Sequence, residues 1–170
     1  MWRSFFYGVS MSVKTQGTQL FLIDEFASDG PEVLAILCAT SLSGLGAPRE
    51  QLDVTCLEDD ARQFVGGLST PGQLTVTVNF DPDNESHFRL YELWKSNENF
   101  KMAIGFGPQT SVPTIGSDGE FDFPADRTFI AFEGYVADLP LEIALNAVVT
   151  AAIPIQVSGE YTIFRKAVVS

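Results

Sequence analysis

Basic residues are scarce in this chain. Ten Lys and Arg stand against 22 Asp and Glu over 170 residues, a formal charge of −12 at pH 7. A protein that grips nucleic acid neutralises phosphates with a basic footprint, and this sequence supplies none. Anionic membrane surfaces are disfavoured for the same reason. There is one histidine, His87, and there are two cysteines, Cys38 and Cys56. They are spread singly along the chain, without the spacing of an ordinary zinc site. Two cysteines cannot build a disulfide framework, and their segments, VLAILCA and QLDVTCL, predict buried free thiols in a reducing compartment. Long apolar runs are missing as well. The N-terminus, MWRSFFYGVSMSVKTQG, has no signal-peptide core. The charge-free stretch from Ile143 to Gly159 is broken by Asn146, Thr150, Pro154, Gln156 and Ser158, and is too short and polar to span a bilayer.

What is present is a folding chain. A hydrophobic fraction of 45% with 12% aromatics is too rich for a disordered acidic tail. The length suits one domain that buries roughly 70% of its unfolded surface. The expected organisation is a flexible arm over 1–14, one domain over 15–164 and a tail over 165–170. Met11 followed by SVKTQG reads like a second start.

The dominant hydrophobic period is two. In Gln73–Phe80, Leu74, Val76, Val78 and Phe80 oppose Gln73, Thr75, Thr77 and Asn79. Thr150–Ser158 turns Ala151, Ile153, Ile155 and Val157 inward; Gln51–Cys56 does so with Leu52, Val54 and Cys56. Phe100–Phe106 places Phe100, Met102, Ile104 and Phe106 on one side. This alternation predicts half-buried antiparallel strands. Further strands are expected at Thr18–Asp24, Val33–Thr40, Arg62–Phe64, Thr128–Tyr135 and Glu160–Phe164. Pro154 within its strand implies an edge, a bulge or a non-bonding position. One helix is expected in FDPDNESHFRLYELWKSNENF, capped by Asp81 or Asp83, with Glu85 near its start, Lys95 near its end and a stop at Asn97 or Asn99. Leu90, Tyr91, Leu93 and Trp94, with Phe88 or His87, form its apolar stripe, which would bury Trp94. Ser41–Glu50 reads as a long loop, Gly66–Gly72 as a tight connection, and Gly105–Pro124 as the longest irregular stretch. The sum is an α+β, mainly β fold: an antiparallel β-sandwich or partly closed barrel with one flanking α-helix.

Chemistry is hard to find in these residues. Nothing marks Cys56 as an activated nucleophile, so a Cys56–His87 dyad has no support, and His87 reads as a surface or partly packed side chain. Asp81, Asp83, Glu85 and Glu92 fall at calcium-loop positions, but Ser86 stands where the loop needs glycine, and helix capping explains the acids. No nucleophile elbow, phosphate cradle or dinucleotide fingerprint is present. No enzyme activity, cofactor or metal is expected. Two features remain: the triplet Glu58-Asp59-Asp60 followed by Arg62, and several outward strand faces that are polar but uncharged, such as Thr75 and Thr77, or small, such as Ala152. Such faces suit apposition to another protein without desolvating charge. Several strands also lack obvious edge protection, which a closed assembly would cover.

The segments GTQLFLID, ATSLSGLGAPREQLDVTCLEDDARQFVGGLSTPGQLTVTVNFDP, SHFRLYELW and TFIAFEGYVADLPLEIALNAVVTAAIPIQVSG together resemble the major tail tube proteins of long, non-contractile-tailed, lambda-like bacteriophages. The resemblance covers nearly all of 15–164. It implies a small β-sandwich with a flanking helix and homohexameric rings stacked head to tail into a tube. It implies tail tip or initiator, tape measure and tail terminator proteins as partners, in a virion tail assembled in the host cytoplasm. Double-stranded DNA would pass without specific binding, and no membrane is involved. By the same resemblance, a ring-stacking loop falls on Ser41, Leu42, Ser43, Gly44, Leu45, Gly46, Ala47, Pro48, Arg49 and Glu50. Asp53, Glu58, Asp59 and Asp60 are candidates for lumen acids or for inter-subunit salt bridges with Arg49 and Arg62. Rival readings are a secretion-system-type tube, a monomeric carbohydrate- or receptor-binding module with an aromatic platform from Trp94, Tyr91 or Tyr135, and an enzyme using Asp118 or Asp122 in the 105–124 loop.

Overall fold

The computed structural model describes residues 15–25, 27, 30–58, 60–107 and 111–167. The expected arm over 1–14 and the last residues of the tail, 168–170, lie outside the described residues. In chain order the elements are β1 (Gln19–Asp24), β2 (Glu32–Ile36), β3 (Ala39–Ser43), β4 (Arg49–Asp53), β5 (Phe64–Ser69), β6 (Gln73–Asn79) and α1 (Glu85–Ser96). They continue with β7 (Phe100–Gly105), β8 (Thr114–Ile115), β9 (Phe121–Asp122), β10 (Phe129–Val136), β11 (Leu141–Glu142) and β12 (Thr150–Phe164).

Eight strands form one antiparallel sheet in the order β2-β1-β7-β10-β12-β6-β3, with β11 beside the start of β12. The two margins of this sheet, β2 and β3, are separated in sequence only by Leu37 and Cys38. Laid flat, the margins would stand about 30 Å apart, whereas the chain between them reaches about 11 Å. The sheet therefore curls into a half-barrel whose margins meet at one corner. The continuous strand expected over Val33–Thr40 is thus two strands, broken where Cys38 takes a left-handed φ of 55°. Period two reads straight through such a corner because both flanking strands carry apolar residues.

The concave face holds the core. Leu20, Leu22, Leu74, Val76, Val78, Met102, Ile104, Ala151, Ile153 and Ile155 are all buried there, as their alternation predicts. The helix closes the concavity with Leu90 and Leu93. Its N-cap is Asn84, whose side chain accepts from the Ser86 amide at 3.0 Å, and not Asp81 or Asp83. Asn97 ends it in the left-handed conformation (φ 54°), as expected. Replacing Asn84 by Ala is expected to lower stability by about 1 kcal/mol, read as a shift of the urea midpoint at unchanged m-value.

His87, expected as a surface or partly packed side chain, is fully buried, 0% exposed. Its Nδ1 accepts from the Asp81 amide at 3.0 Å, which leaves the ring proton on Nε2 to be donated to the Leu37 carbonyl at 2.8 Å. The ring stacks on Phe80 at 5.7 Å. Beside it, the Leu37 amide donates to Ser86 Oγ and the Asn79 amide donates to the Cys38 carbonyl. The helix start thus fastens the corner where the sheet margins meet.

A second, smaller core lies on the opposite side of β1, β7 and β10. Phe21, Ala103 and Phe129 are fully buried under Phe121 and Phe123 of the β8–β9 hairpin, which occupies part of the expected irregular stretch. Arg127 is buried with them, over the rings of Phe129 and Phe21 at 5.1 and 5.9 Å. It donates to Gln19 Oε1 at 2.8 Å, to the Ser111 carbonyl and to the Gly105 carbonyl. Burial draws the guanidinium below its ordinary pKa, against the opposing pull of Asp126.

The segments expected as Thr150–Ser158 and Glu160–Phe164 form one 15-residue strand. Gly159 (φ 81°) lies in the register shift between them, in the β10 pairing. Pro154 sits on this inner strand, opposite Thr75 of β6, while its carbonyl accepts from Ala137 just past the end of β10. Pro154 stands at the end of the β10 ladder: its carbonyl makes the last bond, to Ala137, and its missing N–H leaves the return bond unmade, while the β6 side needs none.

Candidate functional site

The expected stacking loop is not one loop. Ser41, Leu42 and Ser43 belong to β3 inside the sheet, Gly44–Pro48 link, and Arg49 and Glu50 begin β4. From there β4 and β5 form a separate two-stranded ribbon, an arm that leaves the body at Gly46 and returns at Gly72. The Gly72 amide donates to the Gly46 carbonyl at 2.7 Å, and a Cβ on Gly72 would stand 2.5 Å from that oxygen, so the root of the arm requires glycine. The tight connection expected at Gly66–Gly72 is mostly strand. An extra residue on β5 shifts the register between Arg49 and Gln51.

The half-burial expected for Gln51–Cys56 is not observed: every residue of β4 is exposed. A two-stranded ribbon has no second layer to bury its apolar side. The alternation is nevertheless real. Leu52 pairs with Val65, and Val54 follows on the same face. Gln51, Asp53 and Thr55 face the other way. One side of the arm is thus aliphatic, with Leu52 50% and Val65 53% exposed, while the other carries Asp53 beside the exposed ring of Phe64. Cys56 in the arm and Cys38 at the corner are both exposed free thiols, against the expected burial.

Asp53, Glu58, Asp60 and Arg62 all lie on the distal part of this arm, and Asp59 lies outside the described residues. The Thr55 hydroxyl and amide both donate to the Asp53 carboxylate and hold its pKa below the usual range. Among the described residues, the three ion pairs join Arg89 to Asp24 and Glu92, and Lys101 to Glu120. Within one chain, neither Arg49 nor Arg62 takes part in them.

Three further surfaces stand out: the first is not anticipated by the sequence, the second holds Tyr91 and Trp94 of the rival aromatic-platform reading, and the third is the uncharged face expected around Thr75, Thr77 and Ala152. First, residues 141–148, between β10 and β12, expose Leu141, Ile143, Leu145 and Val148, with Leu145 93% exposed. Their signal in the sequence is the start of the charge-free stretch from Ile143 to Gly159. Second, the outer side of α1 exposes Phe88, Tyr91 and Trp94, one turn apart, with ring centroids 5.9 and 6.0 Å apart. The stripe expected to bury Trp94 is wider than the sheet edge can cover, and Trp94 is 40% exposed. The rings are tilted by 38° and 42° and form no flat platform for a sugar. Third, the register aligns Ser41, Ser43, Gln73, Thr75, Thr77, Thr150, Ala152 and Gln156 on the convex side of β3, β6 and β12, an uncharged face. No group of His, Cys, Asp and Glu able to hold a metal occurs among the described residues, and no helix there is long and apolar enough to cross a membrane.

A curled antiparallel sheet with a flanking helix is the fold also found in subunits of phage tail tubes and of contractile injection systems. The fold matches the SPP1 tail tube with a TM-score of 0.66 at 11% identity, over 91% of this chain and 80% of that one. It matches the tail of an empty gene transfer agent particle, refined with C6 symmetry, with a TM-score of 0.62 at 14% identity over 90% and 99%. The sheath-tube complex of an extracellular contractile injection system matches at 0.61, with 12% identity over 92% and 94%. The chain belongs to the lambda-like phage tail tube protein family, whose model matches residues 11–167. It is 44% identical to "Structural protein 3" of Pseudomonas phage PAJU2 over 158 residues, covering 91% of this chain and 94% of that protein. It is a structural, tube-forming subunit.

Proposed function

We propose that six copies of this chain close into a ring, and that rings stack head to tail into the hollow tail tube of a long-tailed phage. The tube conducts the genome into the host. The observation that carries this reading is the exposed aliphatic side of the arm. Leu52, Val54 and Val65 form an aliphatic strip on a ribbon that is marginal in water alone, so a neighbouring subunit must cover it. The aromatic side of α1 and the uncovered margins β2 and β3 are surfaces for neighbours within the ring. The sixfold symmetry stated for the gene transfer agent tail supports the ring number. A head-to-tail contact makes a ring when its rotation closes and a filament when it translates, so one small subunit serves both directions.

The conduit is proposed to be acidic. Six chains of −12 each bring a formal −72 to every ring, and acids that reach the lumen repel the DNA backbone and prevent adhesion. Asp53, Glu58 and Asp60 of the arm, together with Asp59 of the same sequence triplet, are the proposed lumen acids, with Arg49 and Arg62 available for salt bridges between subunits. The tail tip initiator, tape measure and terminator proteins are the proposed partners in a tail assembled in the host cytoplasm. Negative-stain electron microscopy of the concentrated protein tests the reading. Hollow rings or tubes wide enough for duplex DNA are expected. Monodisperse monomers under all conditions, including with the tip initiator, would overturn it.

A further inference from the structure

The arm needs an acceptor, and the molecule carries a matching one at its far end. Along β6, Gln73 adjoins the root of the arm and pairs with Gln156, whereas Asn79 at the other end pairs with Thr150. The exposed segment 141–148 leads into that Thr150 end: Leu141 and Glu142 pair with Ala151 and Thr150, and the Val149 carbonyl accepts from the Phe80 amide. The arm root instead lies beside the second half of β12, where Ala47, Arg49 and Ser69 share a groove with Glu160 and Tyr161. The root of the arm and the segment are thus about 30 Å apart along one long strand. Both surfaces are exposed in the single chain, so neither covers the other there.

Both surfaces are aliphatic and compact. The arm presents Leu52, Val54 and Val65. The segment presents Ile143, Leu145 and Val148 around a turn in which Ala147 donates to Ala144 and Asn146 has a φ of 58°. The acidic side chain of Asp53 faces away from the arm's aliphatic side, so covering that side desolvates no carboxylate of β4 beyond Glu50 at its base. We propose that the aliphatic face of the arm docks on the 141–148 segment of a second copy in the adjacent ring. One subunit then carries both halves of a heterologous contact, and every ring presents arms from one end and acceptors from the other. The polarity of the tube follows from this placement. The pairing rests on the tube reading above and specifies which surfaces meet between rings.

Cysteine cross-linking tests it on the full chain. In a Cys38→Ser, Cys56→Ser background, the double variant Val54→Cys with Leu145→Cys is assembled and then oxidised. A ladder of dimers, trimers and higher multimers on non-reducing gels is expected, because each chain bonds to one neighbour through the arm and another through the segment. Either single variant can give dimers at most. Separately, Leu145→Asp is expected to raise the concentration needed for tube growth about tenfold or more, with unfolding midpoint unchanged because the side chain is exposed. Tubes that form without a ladder in the double variant would overturn the pairing and leave the tube reading standing. A parent chain that forms no tubes, even with the tip initiator, would overturn both.

Discussion

Replacing His87 by Ala is expected to lower the stability of the unassembled subunit by about 3 kcal/mol, a magnitude set by loss of a buried ring and of its hydrogen bonds. The ring is fully buried and stacked on Phe80, and its two nitrogens hold the Leu37 carbonyl and the Asp81 amide. Those two backbone groups belong to different parts of the fold: Leu37 to the corner between the sheet margins, Asp81 to the approach to the helix. Truncation leaves a void and unpairs both groups. His87→Phe separates the two contributions, since it keeps the volume and the stacking but neither hydrogen bond, and about 2 kcal/mol is expected to be lost. Urea unfolding followed by tryptophan fluorescence measures both. Amide exchange adds a local readout, because the Asp81 and Asn79 amides should lose protection well before those of β7. Loss of less than about 1 kcal/mol for His87→Ala would show that the corner is held by the sheet alone.

The second large effect concerns Gly105 and Arg127, and it is a coupling. A Cβ on Gly105 would stand 2.6 Å from Arg127 Cζ and 2.7 Å from its Nε. Arg127 has little room to withdraw, because the rings of Phe129 and Phe21 lie against it and Gln19, Ser111 and Gly105 accept its hydrogen bonds. Gly105→Ala is therefore expected to cost about 2–3 kcal/mol through overpacking. Arg127→Ala is expected to cost about 3–4 kcal/mol by losing packing and hydrogen bonds together. Arg127→Lys should also destabilise, because a point charge cannot reproduce the planar fork. In the Arg127→Ala background, however, Gly105→Ala should be nearly neutral, since the group it strikes is gone. A double-mutant cycle in urea should thus return a coupling of about 2 kcal/mol. Simple additivity would mean that the Gly105 backbone, and not the guanidinium, sets the limit.

Legibility in the sequence differed by region for physical reasons. Strands β6, β7 and the first half of β12 alternate because one face of each meets the core and the other does not, so period two and burial coincide. The helix was legible from its stripe and its Asn97 stop, but its cap was misassigned. Asp81, Asp83 and Asn84 are chemically similar cap formers, and only backbone geometry selects Asn84. The arm shows why alternation alone misleads: Leu52 and Val54 alternate as a buried strand would, yet both are exposed, with no second layer over them among the described residues. His87 and Cys38 were misread because their surroundings come from residues about 50 positions away or from a single left-handed φ. The candidate acids Asp53, Glu58 and Asp60 with Arg62 were legible as a charged group, but their common placement on a projecting ribbon was not.

The shortage of basic charge that excludes a DNA-gripping protein is a property of composition, and the sequence determined it completely. It also determined the strand alternation, the helix and, through long stretches of family-like residues, the family. Only the tertiary structure decided that β2 and β3 are the two margins of one curled sheet, because that depends on which strands pair across the whole chain. It likewise decided which apolar side chains have no cover within the subunit. Burial is a relation between distant segments, and the root of the arm and the 141–148 segment stand apart only once the pairing of β6 with β12 separates them.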